Sequence, residues 1–205
     1  MCARPANLAL RADIIKAATR IVESRGPACV TMREVAQEVG YSATTLYLYF
    51  KDKDDILREV VLESFDDLAA FSAAAAVGPT LVDRYRQRSR AYVVWGVTHP
   101  SLYQLVFETT RGVDWTTEDG VRMARGLTDG ITVLEQAVVA GELSSTLDVR
   151  RRAMLVWAGL HGVTSLAISH RLRTGATVVA PNEMLGLATS MGDEVVHDLL
   201  VAYLT

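Results

Sequence analysis

The chain has 205 residues, half of them hydrophobic, and 21 Lys and Arg stand against 24 Asp and Glu. At about 100–200 residues per domain, this allows one large or two small domains, and the apolar content excludes a disordered chain. A net charge of −3 excludes a uniformly basic surface, but residues 1–53 carry 8 Lys and Arg against 5 Asp and Glu, a weakly basic head before an acidic remainder.

The first informative stretch is residues 31–53, TMREVAQEVGYSATTLYLYFKDK. Thr31 followed by Glu34 predicts a capping box, in which hydroxyl and carboxylate each accept from a backbone N–H. Val35 and Val39 give one apolar face, and Ala36 permits a close helix crossing. Gly40 stands where the chain leaves the helix with a positive φ. Ser42 then caps a second short helix, whose inward pair is Leu46 and Phe50. Ala43, Thr44, Tyr47 and Leu48 point elsewhere. This is the layout of a helix-turn-helix. In a major groove small residues allow close approach, Thr and Tyr hydroxyls bond base edges or phosphates, and Leu touches a thymine methyl. Lys51 and Lys53 suit phosphates, which fix register without reading sequence.

The rest reads as helices with no strand. One long helix spans about 53–76 and breaks at Gly78 and Pro79; a second runs to about Thr98 and ends at His99 and Pro100. Residues 101–108 form a short helix and 109–117 a loop. A further helix runs to about Val139 and stops at Gly141, and Asp148 caps one that reaches Ile168. Residues 174–182 connect to a final helix. The expectation is an all-α protein of roughly nine helices, with a helix-turn-helix domain at 1–53 and a helical ligand-binding and dimerisation domain at 54–205.

Residues 10–57 resemble the N-terminal DNA-binding domain of the TetR family of bacterial transcriptional regulators. IIKAATRIVESRG resembles that domain's first helix, and TMREVAQEVGYSATTLYLYFKDKDDIL its next two helices and the start of a long fourth. Gly40, Ser42, Thr45, Leu46, Tyr47, Tyr49, Phe50, Lys51 and Lys53 match the pattern G-x-S-x-x-T-L-Y-x-Y-F-K-x-K. The resemblance implies that Tyr47, Tyr49 and Lys53 touch the DNA backbone or groove, that Thr31 sits at a phosphate, and that Arg33 and Thr44 reach bases. Ala43 offers no side-chain hydrogen bond, which makes Arg33 the candidate for a guanine contact. WAGLHG, residues 157–162, and HPSLYQLVFE, residues 99–108, are similar to a branch of these regulators whose C-terminal domain carries a Trp-x-x-x-His-Gly motif. That likeness implies a ligand-binding, dimerising body.

Two jobs are expected of that body. Two-fold proteins read two half-sites, and Ala158, Gly159, Gly162, Ser165, Ala167, Ala188, Ser190 and Gly192, with Val195, Leu199 and Ala202, suit close helix crossing in a homodimer. Tyr92, Trp95, Tyr103, Phe107, Glu108, Trp115, Met123, Trp157 and His161 suit a mostly apolar pocket with a few polar groups, for an apolar or aromatic effector. The expected function is a repressor released from operator DNA by that effector; the alternatives are an activator or a protein-interaction module without sensing. An enzyme is not expected, because GxSxG, P-loop, HExxH and GxGxxG motifs are absent from the sequence. No cofactor or metal is expected: His161, His170 and His197 follow no ligand spacing, and Cys2 and Cys29 form no CxxC pair. The N-terminus shows no apolar signal region and no stretch nears the roughly 20 residues of a membrane span, so the expected location is cytoplasmic.

Overall fold

The computed structural model describes residues 8–109, 114–170, 173–174, 177–178 and 180–204. Among them are nine α-helices: α1 (Leu8–Arg25), α2 (Met32–Val39), α3 (Ala43–Leu46), α4 (Lys53–Ala74), α5 (Leu81–Thr98), α6 (Pro100–Thr109), α7 (Glu118–Val139), α8 (Val149–Ile168) and α9 (Pro181–Leu200). The architecture is the all-α one expected. One departure is a ribbon of two-residue strands, β1 (Arg173–Thr174) and β2 (Thr177–Val178), paired antiparallel with Arg173 opposite Val178. The sequence there lacks the alternating pattern that signals a strand, since two residues are too few to express it.

The chain divides into two compact units, and the division falls within α4, between Ser64 and Phe65; the sequence had suggested residue 53. The first unit takes residues 1–64 together with 99–113. Its core is built by α1, which buries Leu10, Ile14, Ile15, Ile21 and Val22. Onto this packs α2, which buries Val35 and Ala36, and α3 packs on α2 with Leu46 buried. α6, remote in sequence, also packs on α1 and buries Leu102, Tyr103, Leu105 and Val106. Arg11 secures the start of α4 by pairing with Glu59 at 3.0 Å while its guanidinium lies 5.1 Å from the Phe50 ring centroid.

The second unit, residues 65–98 and 114–205, packs α5, α7, α8 and α9 around one apolar core. Val93, Leu134, Val156, Leu160, Ala188, Val196 and Leu200 are buried in it. Small residues set its helix spacing. A Cβ on Gly159 would meet Val195 Cγ1 at 2.6 Å, and one on Gly192 would meet Val93 Cγ2 at 3.0 Å and Leu160 Cδ2 at 3.4 Å. Gly159, Ala167, Ala188 and Gly192 therefore serve crossings inside the protomer, a correction to the expectation that they line a contact between copies. Small residues look alike at either kind of crossing, and only the fold separates them.

Two long-range ties lock the frame. Glu142, after α7, accepts from the backbone N–H groups of Leu81 and Val82 at 3.0 and 2.9 Å, capping α5 from 60 residues away. The part of α4 in this unit is held by consecutive acids: Asp67 Oδ2 accepts from the buried Trp95 Nε1 at 2.7 Å, and Asp66 Oδ2 from Arg122 Nε at 2.7 Å.

Candidate nucleic-acid interface

The helix pair at 32–46 is shaped by its caps. Thr31 Oγ1 accepts from the Glu34 N–H at 3.1 Å, as expected. The reciprocal half of the box is not made: the Glu34 carboxylate pairs with Arg25 Nη1 at 2.8 Å, a charged partner preferred to a backbone amide. Gly40 ends α2 in the left-handed region at φ 73°, where a side chain would be strained, and Tyr41 N–H closes the turn on Ala36 O at 2.9 Å. Ser42 Oγ accepts from the Thr45 N–H at 3.2 Å and lies 2.9 Å from the Thr45 hydroxyl. The α-helix proper ends at Leu46, shorter than expected, and turn bonds from Leu48, Tyr49 and Phe50 carry the chain onward. Leu46 and Phe50 are buried as the inward pair.

The outward face is unusual for a solvent surface. Leu48 is 80% exposed, Tyr47 57% and Tyr41 50%, and Thr31, Arg33, Ser42, Thr44, Lys51 and Lys53 are exposed as well. Ala43, Thr45 and Tyr49 are half-buried. Among the described residues Arg33 makes no ion pair or hydrogen bond through its side chain, and neither do Thr44, Tyr47 or Lys51. Lys53 Nζ has only Asp54, at 3.6 Å. Asp52 and Asp55 stand close by but are spent on the start of α4: Asp52 Oδ1 accepts from Asp55 N–H at 2.9 Å, and Asp55 Oδ2 from Lys51 N–H at 3.1 Å. One face thus gathers a guanidinium, an ammonium and hydroxyls with no partner of their own, beside a protruding Leu and two Tyr. Tyr41 was missed in the sequence because it occupies a variable position of the matched pattern.

The comparisons agree with this geometry. Residues 14–60 match the model of "Bacterial regulatory proteins, tetR family", and residues 86–185 match "Tetracyclin repressor-like, C-terminal domain". The chain belongs to the TetR family. It is a DNA-binding transcriptional regulator of that family. An HTH-type transcriptional regulator of Mycobacterium tuberculosis is 23% identical over 195 residues, with 80% of this chain and 83% of the relative covered; one from Mycobacterium bovis matches equally. Among solved structures, a TetR-family regulator from Mesorhizobium loti superposes with a TM-score of 0.70 at 20% identity, covering 98% of this chain and 100% of the other. A Rhodococcus protein of unknown function gives 0.73 at 22% identity, covering 94% and 98%. These structures share the fold. The C-terminal match encloses both WAGLHG and residues 99–108 without naming the Trp-x-x-x-His-Gly branch.

The residues expected at a ligand site in this TetR-family protein fall in different places. Trp95 is buried and bonded to Asp67. Tyr92, Met123, Trp157 and His161 are half-buried in the second unit. Trp157 stacks on His161 with centroids 5.5 Å apart, and His161 Nε2 lies 3.5 Å from Ser165 Oγ. Burial pushes the His161 pKa below the ordinary 6.5. Tyr103 and Phe107 belong to the first unit, their centroids 4.6 Å apart. The side chain of Glu108 lies outside the described residues. Trp115 stands in the turn before α7, about half exposed. An open depression in the first unit is lined by Arg20, Ile21, Glu23, Ser24 and Glu38, and none of the expected ligand residues lines it. Among the described residues no group of three His, Cys, Asp or Glu is arranged for a metal, and no helix is long and apolar enough to cross a membrane.

Proposed function

We propose that this regulator is a cytoplasmic homodimeric repressor that leaves its operator when a small molecule binds the second unit, and that it has no catalytic role. The observation that carries the DNA side is the set of polar groups on the α2–α3 face with no partner of their own. Arg33 would read guanine through its fork. Thr44 and Leu48 would meet base edges, with Ala43 allowing close approach. Thr31, Ser42, Thr45, Tyr47, Tyr49, Lys51 and Lys53 would hold phosphates or groove walls.

Dimerisation is supported by the outer face of α8. Met154, Leu155, Ala158 and Leu166 are exposed there in succession, and a Cβ on Gly162 would meet nothing within 4 Å. An apolar stripe of this kind on a surface helix marks an interaction site. Effector sensing would use Tyr92, Trp95, Met123, Trp157 and His161. α4 belongs to both units, so an effector that favours one setting of α4 would lower operator affinity by its differential binding alone.

The test is titration of fluorescent DNA from upstream of the regulator's own gene, with light scattering of the free protein. A dimer and specific binding are expected. A folded monomer, or equal affinity for scrambled DNA and every upstream fragment, would overturn it.

A further inference from the structure

The effector proposed above is of unstated chemistry, and Arg88 narrows it. Arg88 lies on α5 at the centre of a face with Tyr85 and Tyr92, spaced three and four residues apart. It is only 7% exposed. α7 meets it with two glycines: Arg88 Nη2 donates to Gly126 O at 2.8 Å, and a Cβ on Gly130 would stand 3.4 Å from Tyr85 Cε2 and 3.8 Å from Arg88 Nε. Among the described residues the carboxylate paired with it is Asp129, at 3.7 Å and itself about half exposed, which is too long for a hydrogen bond and partly screened by solvent.

A guanidinium carries five N–H donors in a rigid fork. Here one Nη2 N–H is satisfied by a carbonyl, and among the described residues Nε and Nη1 meet no acceptor within hydrogen-bond distance. Yet no buried side-chain nitrogen or oxygen among the described residues lacks a partner. Nε and Nη1 therefore keep access to solvent although the residue as a whole is almost enclosed. The side chain is sunk between helices, and the unbonded edge of its fork is the part that solvent still reaches. Burying a charge this far is expensive unless it is paired and fully bonded, and burial pulls the Arg88 pKa down against the opposing pull of Asp129 and then Tyr85. Tyr85, whose hydroxyl burial keeps protonated, supplies no anion.

We infer that the free edge of Arg88 is the anchor for the carboxylate of an organic-acid effector, whose apolar or aromatic body lies along the α5 face beside Tyr92. Arginine suits that task because its fork matches both oxygens of a carboxylate. The inference rests on the effector-released reading of this same unit.

The test uses the full chain with octanoate, decanoate, phenylacetate and salicylate, each against its methyl ester. Thermal unfolding and release from operator DNA are read separately. The acids are expected to raise the melting temperature by mass action and to release DNA, while the esters do neither. Arg88→Met is expected to weaken the acid response roughly 10- to 100-fold, the range of a charged hydrogen bond, with operator affinity unchanged. Arg88→Lys keeps the charge without the fork and tests the case in which Met fails to fold; it too should lose most of the response. Asp129→Asn removes the competing carboxylate and should strengthen acid binding. No stabilisation by any acid, equal stabilisation by the esters, or an undiminished response in both Arg88 variants would overturn the inference. Thermal unfolding needs no DNA, so a failed operator titration would sink the repressor reading while leaving this one separately decided.

Discussion

Replacing Glu142 by Ala should destabilise the second unit markedly. Both of its oxygens are occupied, each by one of two consecutive N–H groups at the start of α5, at 3.0 and 2.9 Å. Those amides belong to the orphan donors of a helix N-terminus and have no intrahelical acceptor. A hydrogen bond to a charged group contributes about 1.5–3 kcal/mol, and a donor left without a partner costs about 1–3 kcal/mol. Leu81 and Glu142 are half-buried and Val82 is buried, so water replaces the lost carboxylate incompletely, and two donors together put the loss at roughly 2–4 kcal/mol. For a chain of this size that is a fall in Tm of about 4–16 °C, at about 2–4 °C per kcal/mol. Glu142→Gln keeps one acceptor and turns an amide N–H₂ toward the second donor, so it should fall between wild type and Ala. Differential scanning calorimetry at neutral pH decides the matter. A Tm within about 1 °C of wild type for Glu142→Ala would refute the capping argument, because the magnitude above cannot shrink that far.

Gly159→Ala should lower stability by about 1–3 kcal/mol, the range for overpacking, because its Cβ would meet Val195 Cγ1 at 2.6 Å. Val195→Ala in the same chain should restore part of the loss, and a chemical-denaturation double-mutant cycle measures the coupling; additive effects would contradict the crossing. His161 titrates below the ordinary 6.5 in the folded chain because burial disfavours its charged form. The unfolded chain then binds more protons just below pH 6.5, so the stability from His161 is complete above that pH and is lost as pH falls through the folded pKa. His161→Gln should flatten the stability–pH curve in that window, and urea midpoints between pH 5 and 7.5 report it; an unchanged curve would contradict the burial.

The helix-turn-helix was legible because its determinants are local. Thr31, Gly40 and Ser42 act within three residues of themselves, and Leu46 and Phe50 are an i, i+4 pair. The Asp148 cap and the stop near Gly141 were readable for the same reason. What escaped depends on distant partners. Nothing in residues 99–109 announces packing on α1, and nothing around Glu142 points to an N-terminus 60 residues away. Arg88 reads as one more solvated charge in a helix rich in arginine, and its burial emerges only when α7 presents glycines at 126 and 130. The same blindness misassigned Gly159 and Gly192, whose smallness is visible while the neighbour that requires it is not.

The face carrying Arg33, Thr44, Tyr47 and Lys51 is the one proposed to read operator DNA. The most direct measurement is an equilibrium titration of the protein onto the DNA upstream of its gene, against a scrambled duplex, at two salt concentrations. Specific binding that weakens with salt is expected. Arg33→Ala should lose about 1–3 kcal/mol of affinity and relax the preference at one base pair, whereas Lys51→Ala should weaken both duplexes alike and reduce the salt slope by about one. Sequence-specific binding that survives in Arg33→Ala, Tyr47→Ala and Lys51→Ala with unchanged affinity and salt slope would contradict it.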